Sequence, residues 1–184
     1  MTAVVKSFSV FDDHNKPGDM FYIRHSNSNF TIIDCCVVQE NREKICREIL
    51  TEMSGKDIVR FISTHPDEDH ICGLDYLDSK ISIKNFYCVK NNAIKQNASD
   101  SFKYYCKLRD NSSLAFYLYK GCTRLWMNKN NEENYGSAEI NCLWPVPNNQ
   151  NFKGALDLAA EGKAYNNISP ILICDVVENC KMMW

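Results

Sequence analysis

The sequence contains no Gly-x-Gly-x-x-Gly and no Cys-x-x-Cys. The first absence removes the dinucleotide-binding fingerprint. The second removes the commonest spacing of thiol zinc sites and dithiol redox centres. No stretch approaches the roughly eighteen apolar residues that a membrane-spanning helix needs, so no membrane partner is expected. Residues 1–10 lack a basic start and a long apolar run, which predicts no signal peptide and a cytoplasmic location. There is no surplus of Lys and Arg: 21 basic residues face 23 acidic ones, a net charge of −2. That balance does not indicate a nucleic-acid partner, although it leaves room for a local basic groove. Histidine is scarce, with four residues at positions 14, 25, 65 and 70 and none beyond.

What is present suits a globular protein. The length of 184 residues fits one domain with a real core, and 45% hydrophobic with 24% charged residues is ordinary. Ten cysteines are many for this length. Most lie in apolar strings such as Phe86-Tyr87-Cys88-Val89 and Ile140-Asn141-Cys142-Leu143. A free cysteine there behaves as a small hydrophobe, so core packing is the leading reading, ahead of a disulfide framework or a thiolate metal site.

The chain opens with β structure. Residues 3–11, 20–23 and 30–38 read as strands rich in Val, Ile and Phe. A turn-rich loop spans residues 12–19, and the polar loop 24–29 marks a hairpin. Residues 40–53 predict a helix, with Ile45, Ile49 and Met53 every four residues and Leu50 beside them. A short strand over 57–63 runs directly into a polar loop, and a helix begins near Leu74. Further strands are expected at 83–89, 115–119, 123–127, 138–144 and 171–177. Helices are expected near 99–108 and 152–164. The loop 128–136 is polar, and a turn at 178–179 starts a partner strand at 180–184. Strands with helices between them suit an α+β fold of sheets covered by helices.

The loop after the 57–63 strand reads His65-Pro66-Asp67-Glu68-Asp69-His70. Four of its six residues, His65, Asp67, Asp69 and His70, can bind a metal. A tight loop between a strand and a glycine-led helix converges imidazoles and carboxylates, and a mixed N/O donor set suits zinc, manganese or iron. Carboxylates packed beside each other repel unless a cation lies between them. Glu68, between the ligands, is expected to face solvent. The bland alternative is a solvated acidic loop, but two of only four histidines fall within these six residues, at a strand end where functional loops occur.

The stretch Thr64-His65-Pro66-Asp67-Glu68-Asp69-His70-Ile71-Cys72-Gly73-Leu74 resembles the metal-binding segment of the metallo-β-lactamase fold superfamily. Asp67 stands where that family usually has its second histidine. This variant is similar to members of the DNA-uptake type. Gly18-Asp19, the apolar strand Thr31-Ile32-Ile33-Asp34-Cys35 and Asn166-Asn167-Ile168-Ser169 resemble other family marks, in the expected order. The resemblance implies an αββα sandwich over residues 1–184, a single domain with its second half incomplete. It implies one or two ions, zinc first, with His65 and Asp67 on the first and Asp69 and His70 on the second.

The same resemblance implies metal-assisted hydrolysis, with Asp69 as the catalytic group that orients or deprotonates water. The substrate is a small molecule or a phosphodiester, and the variant motif leans toward the phosphodiester. Oligomeric state is left open. A mid-fold histidine, a late bridging aspartate and a later histidine of the family have no counterpart, which suggests a chain cut short. Asp157 and Asp175 are weak substitutes. A non-catalytic member of the fold is therefore the rival reading, and a di-iron redox member ranks behind it.

Overall fold

The computed structural model describes residues 3–12, 16–130, 135–177 and 180–184. His14, part of the 128–136 loop and the 178–179 turn fall outside these residues. Strand β1 (Val4–Ser7) pairs antiparallel with β4 (Phe21–Arg24), and a short hairpin of β2 (Val10–Phe11) and β3 (Pro17–Gly18) lies between them. The expected 3–11 strand is thus broken into β1 and β2. β4 turns back into β5 (Asn29–Ile33). Asn27 closes this hairpin by accepting the Asn29 N–H at 3.1 Å, the local bond that favours Asn in turns.

From β5 onward the sheet becomes parallel. It adds β7 (Ile58–Ile62), β8 (Phe86–Cys88) and β9 (Ala115–Tyr117), giving the order β1-β4-β5-β7-β8-β9. The two-residue β6 (Cys35–Cys36) follows β5. Parallel neighbours require crossovers, and helices supply them. These are α1 (Arg42–Glu52), the single turn α2 (Glu68–Ile71) with α3 (Leu74–Ile81), and α4 (Asp100–Arg109). Ser99 caps α4 by accepting the Phe102 N–H at 3.0 Å. In α1 the core face is Ile45, Cys46 and Ile49, whereas Leu50 is 45% exposed.

Strand alternation sorts the layers. Phe61 stacks on Phe86, whose edge meets Tyr105 of α4, so this face of the sheet carries helices. Arg60 points the other way. Its guanidinium donates to Thr31 Oγ1 at 3.0 Å and to the Trp126 carbonyl at 2.8 Å, and also to Asn29 Oδ1. On that side lies a second sheet, β10 (Ile140–Trp144), β11 (Ile171–Val177) and β12 (Cys180–Met183), all antiparallel. Helix α5 (Gln150–Ala160) packs Phe152 against Trp144 of β10. The layers run helix, sheet, sheet, and among the described residues the outer face of the second sheet is open, with Leu143 42% and Ile171 41% exposed and β12 exposed along its length. This is the expected α+β sandwich, with one core cluster reaching into both sheets.

The expected strand at 123–127 is instead a turn. Asn128 Oδ1 accepts the Arg124 N–H at 3.1 Å, and Trp126 takes φ 64. Of the cysteines, eight are buried, Cys106 is half-buried and Cys180 is exposed, and all ten are free.

Gly73 opens α3 with φ +70, and a Cβ there would overlap the Val37 carbonyl oxygen. Gly73→Ala is expected to cost about 2–4 kcal/mol in urea unfolding, from combined strain and overlap. His25 is buried, with its Nε2 2.9 Å from Thr31 Oγ1. Burial, then the charges of Arg60 and Lys56, lower its pKa to about 3. The unfolded chain takes up that proton near pH 6.5, so the fold loses stability as pH falls from about 6.5 toward 3. His25→Gln is expected to remove roughly 2–3 kcal/mol of that loss at about pH 4.5, read as the difference between variant and wild-type unfolding curves.

Candidate metal centre

β5 and β7 run parallel in register, with Ile33 opposite Ile62. Asp34 and Thr64 therefore leave the sheet at the same edge, the carboxyl end where open α/β sheets place their sites. Asp34 adopts φ 57, a left-handed conformation that Asp tolerates better than most residues. Its N–H donates to the Ile62 carbonyl at 2.9 Å. Its buried carboxylate accepts three hydrogen bonds: Thr64 N–H at 2.7 Å, Thr64 Oγ1–H at 2.7 Å and His70 Nδ1–H at 2.9 Å.

The far end of the loop is fastened as well. Cys35 and Cys36 bridge Ile71 and Cys72 in parallel, and the Val37 N–H donates to the Cys72 carbonyl at 2.9 Å. Gly18 brings the β3 turn against this seam, where a Cβ would overlap Cys36 Sγ. The next residue, Asp19, donates its N–H to the Asp69 carbonyl at 3.0 Å.

Within this frame the two imidazole rings face each other with centroids 4.0 Å apart. His65 is 5% exposed. Its Nδ1 lies 3.0 Å from Thr64 Oγ1 and 3.1 Å from Ser169 Oγ. Its Nε2 stands 3.3 Å from Asp67 Oδ2, yet off the hydrogen-bond direction, so this buried nitrogen has no hydrogen-bond partner. Asn166 Nδ2 donates to the same Asp67 oxygen at 3.3 Å. His70 Nε2 lies 3.7 Å from Asp19 Oδ2 and 3.8 Å from Asp69 Oδ2.

The electrostatics follow from this crowding. The His65 ring lowers the Asp67 pKa, against the opposing effect of burial. For His70, burial disfavours the charged ring, but the Asp34 hydrogen bond and charge, then Asp69 and Asp19, outweigh it and raise the pKa. Asp34 also sets the tautomer: with Nδ1–H committed to the carboxylate, Nε2 keeps its lone pair when His70 is neutral.

Of the four residues singled out in the sequence, the structure pairs His65 with Asp67 and His70 with Asp69 within 4 Å. Among the described residues, no three such side chains converge on one point ready to hold an ion. Glu68 does not face free solvent. It accepts from Ser99 Oγ at 2.8 Å and pairs with Lys95 at 3.3 Å, tying the loop to α4. Asp34, Asp19, Ser169 and Asn166 join the site, although their motifs alone assigned them no role. Asp175 instead pairs with Lys181 at 3.0 Å, and Asp157 lines a separate cleft. A cleft of about 680 Å³ opens over Asp67 and Asp69, with Lys16 and Lys95 in its walls. No helix of the described residues is long and apolar enough to cross a membrane.

No family model matches the chain, and no curated protein does. Among solved structures, a Thermotoga maritima protein described as a "putative metallo-beta-lactamase" is similar, at 13% identity and a TM-score of 0.49. The match covers 100% of this chain and 77% of that one.

The raised His70 pKa means that the fold favours the imidazolium in chelator-treated protein. That stabilisation is complete below about pH 6.5, the unfolded value, and is lost as pH rises through the folded value. Asp34→Asn is expected to shift the His70 titration downward, followed by the ring nitrogen signals in NMR. An unchanged titration would show that Asp34 does not govern the ring.

Proposed function

We propose that the chain is a metal-dependent hydrolase of the metallo-β-lactamase fold, acting on phosphodiester bonds. His65, Asp67, Asp69 and His70 would hold the metal, with Asp19 beside them. The carrying observation is the Nε2 of His65, buried and without a hydrogen-bond partner beside the Asp67 carboxylate and the His70 ring. An orphaned buried nitrogen is costly, and a cation accepting its lone pair would remove that cost. The two imidazoles and nearby carboxylates suit zinc, with manganese or iron as alternatives, as one or two ions. A cation also offsets the repulsion among Asp19, Asp67 and Asp69.

When bound, the metal supplies Lewis acidity toward water and the scissile ester. The chain supplies the rest. Asp34, Thr64 and Ser169 hold the two rings in orientation. Asp69, at 37% side-chain exposure, reaches the cleft and accepts a proton from the attacking water. Lys16 and Lys95 set two ammonium groups among the Asp12, Asp67, Glu68 and Asp69 carboxylates of the cleft, with Lys95 paired to Glu68. A non-catalytic member of the fold is the second reading, favoured by the lack of a three-residue cluster among the described residues.

Elemental analysis of the purified chain is expected to find about one or two equivalents of metal, and little in a His65→Ala, His70→Ala double variant. Equal, negligible metal in both would sink the metal site. With zinc or manganese added, hydrolysis of bis(p-nitrophenyl) phosphate is expected, with Asp69→Asn slower by about a hundredfold. Bound metal without hydrolysis of any ester class would favour the non-catalytic reading.

A further inference from the structure

A cleft of about 540 Å³ opens at the carboxyl ends of β8 and β9, against one face of α5. This is the edge of a parallel sheet where ligands gather, and the size falls within the roughly 300–1,000 Å³ of small-molecule sites. None of the side chains assigned to the metal lines it. The floor is held rigidly. Asn91 is buried and uses both ends of its amide. Its Nδ2 donates to the Val89 carbonyl at 2.7 Å and to the Tyr105 hydroxyl at 2.8 Å. Its Oδ1 accepts from the Ala93 N–H at 3.0 Å and from Arg109 Nη1 at 3.2 Å. These bonds fix the strand exit that carries Lys90. Tyr117 is fixed as well, its hydroxyl donating to the Arg109 carbonyl at 3.1 Å. Pro145 is tied to the exit of β9 by the Lys120 N–H at 2.7 Å, and the Phe152 ring meets Trp144 edge-on. The walls are therefore in place before anything binds, which lowers the ordering cost of a ligand.

The lining is apolar and partly uncovered. α5 turns Phe152, Leu156 and Ala160 toward the cleft at four-residue spacing, and of these only Phe152 is buried. Tyr119 and Pro147 are exposed in the same cleft. The charged groups of the lining are Lys90 and Asp157. Lys90 Nζ stands 5.5 Å from the centre of the Tyr117 ring, and among the described residues it has no carboxylate partner. Asp157, on α5, likewise has no basic partner there. An ammonium over an aromatic face, beside apolar rings, is complementary to an anion attached to a flat apolar body.

We propose that this cleft binds a small planar aromatic molecule carrying one anionic group. The ring lies against Tyr117, Tyr119 and Phe152, whose faces and edges favour offset and edge-on contact. The anionic group pairs with the Lys90 ammonium. Asp157 repels a further negative charge, which limits the ligand to one. The site does not depend on a metal at His65 and His70.

The test is a fluorescence titration of the chelator-treated full chain with 8-anilinonaphthalene-1-sulfonate, an aromatic ring system bearing one anion. Saturation at about one equivalent is expected. Lys90→Gln is expected to weaken binding about fivefold and Asp157→Asn to tighten it about twofold, both effects shrinking at high salt. Lys90 and Asp157 are exposed, so neither substitution disturbs the core. The uncharged N-phenyl-1-naphthylamine is expected to bind wild type and Lys90→Gln equally, and Tyr119→Ala is expected to weaken both compounds. Equal affinity of the sulfonate for wild type and Lys90→Gln would overturn the proposal. So would loss of its binding in Ile171→Ser, on the open face of the second sheet, with Tyr119→Ala unaffected.

Discussion

The candidate centre depends on one buried carboxylate. Asp34 holds the start of the loop through Thr64 and the end of it through His70, and it does so from a left-handed turn at the end of β5. A carboxylate with three donors is satisfied in the interior, where an unpaired one would be expelled or protonated. The loop in turn carries every other relation. The His65 ring meets the His70 ring because both ends of the hexapeptide are fixed, and the aspartates face the imidazoles because the single turn of α2 points them there.

The sandwich has a comparable fixed point in Arg60. A buried guanidinium with no carboxylate partner among the described ion pairs is unusual, and here carbonyl, amide and hydroxyl oxygens of β5 and the 123–127 turn satisfy most of it. Burial lowers its pKa, but an arginine remains charged at neutral pH. Burial first, and then the same charge, suppress protonation of His25. One histidine is thereby held neutral within the sandwich while another, beside carboxylates at the sheet edge, favours its proton.

Much of this architecture was legible in the sequence where the cause is local. The 40–53 helix follows from four-residue spacing and the β4–β5 hairpin from its polar 24–29 loop, and α4 falls where a helix was expected near 99–108. The metal-ligand candidates were legible because they crowd into six residues. What stayed hidden depends on distant partners. Asp34 lies 36 positions from His70, and Ser169 lies 104 from His65, so only the parallel register of β5 with β7 and the fold-back before β11 bring them together. The 123–127 segment has strand composition, yet the Asn128 side chain captures its backbone and Arg60 takes the Trp126 carbonyl. Glu68 was misread for a similar reason: the start of α4, which holds it, is about thirty residues away.

The parallel seam of Cys35 and Cys36 with Ile71 and Cys72 works as a caliper. Because β7 fixes the point of departure and this seam fixes the point of return, the contour length between them is prescribed. Substitutions within residues 64–70 change the chemistry presented at a constant position. An insertion or deletion there would move Ile71 and Cys72 out of register and reverse which side chains face the core. Variation that preserves the fold is therefore confined to side-chain identity in this loop.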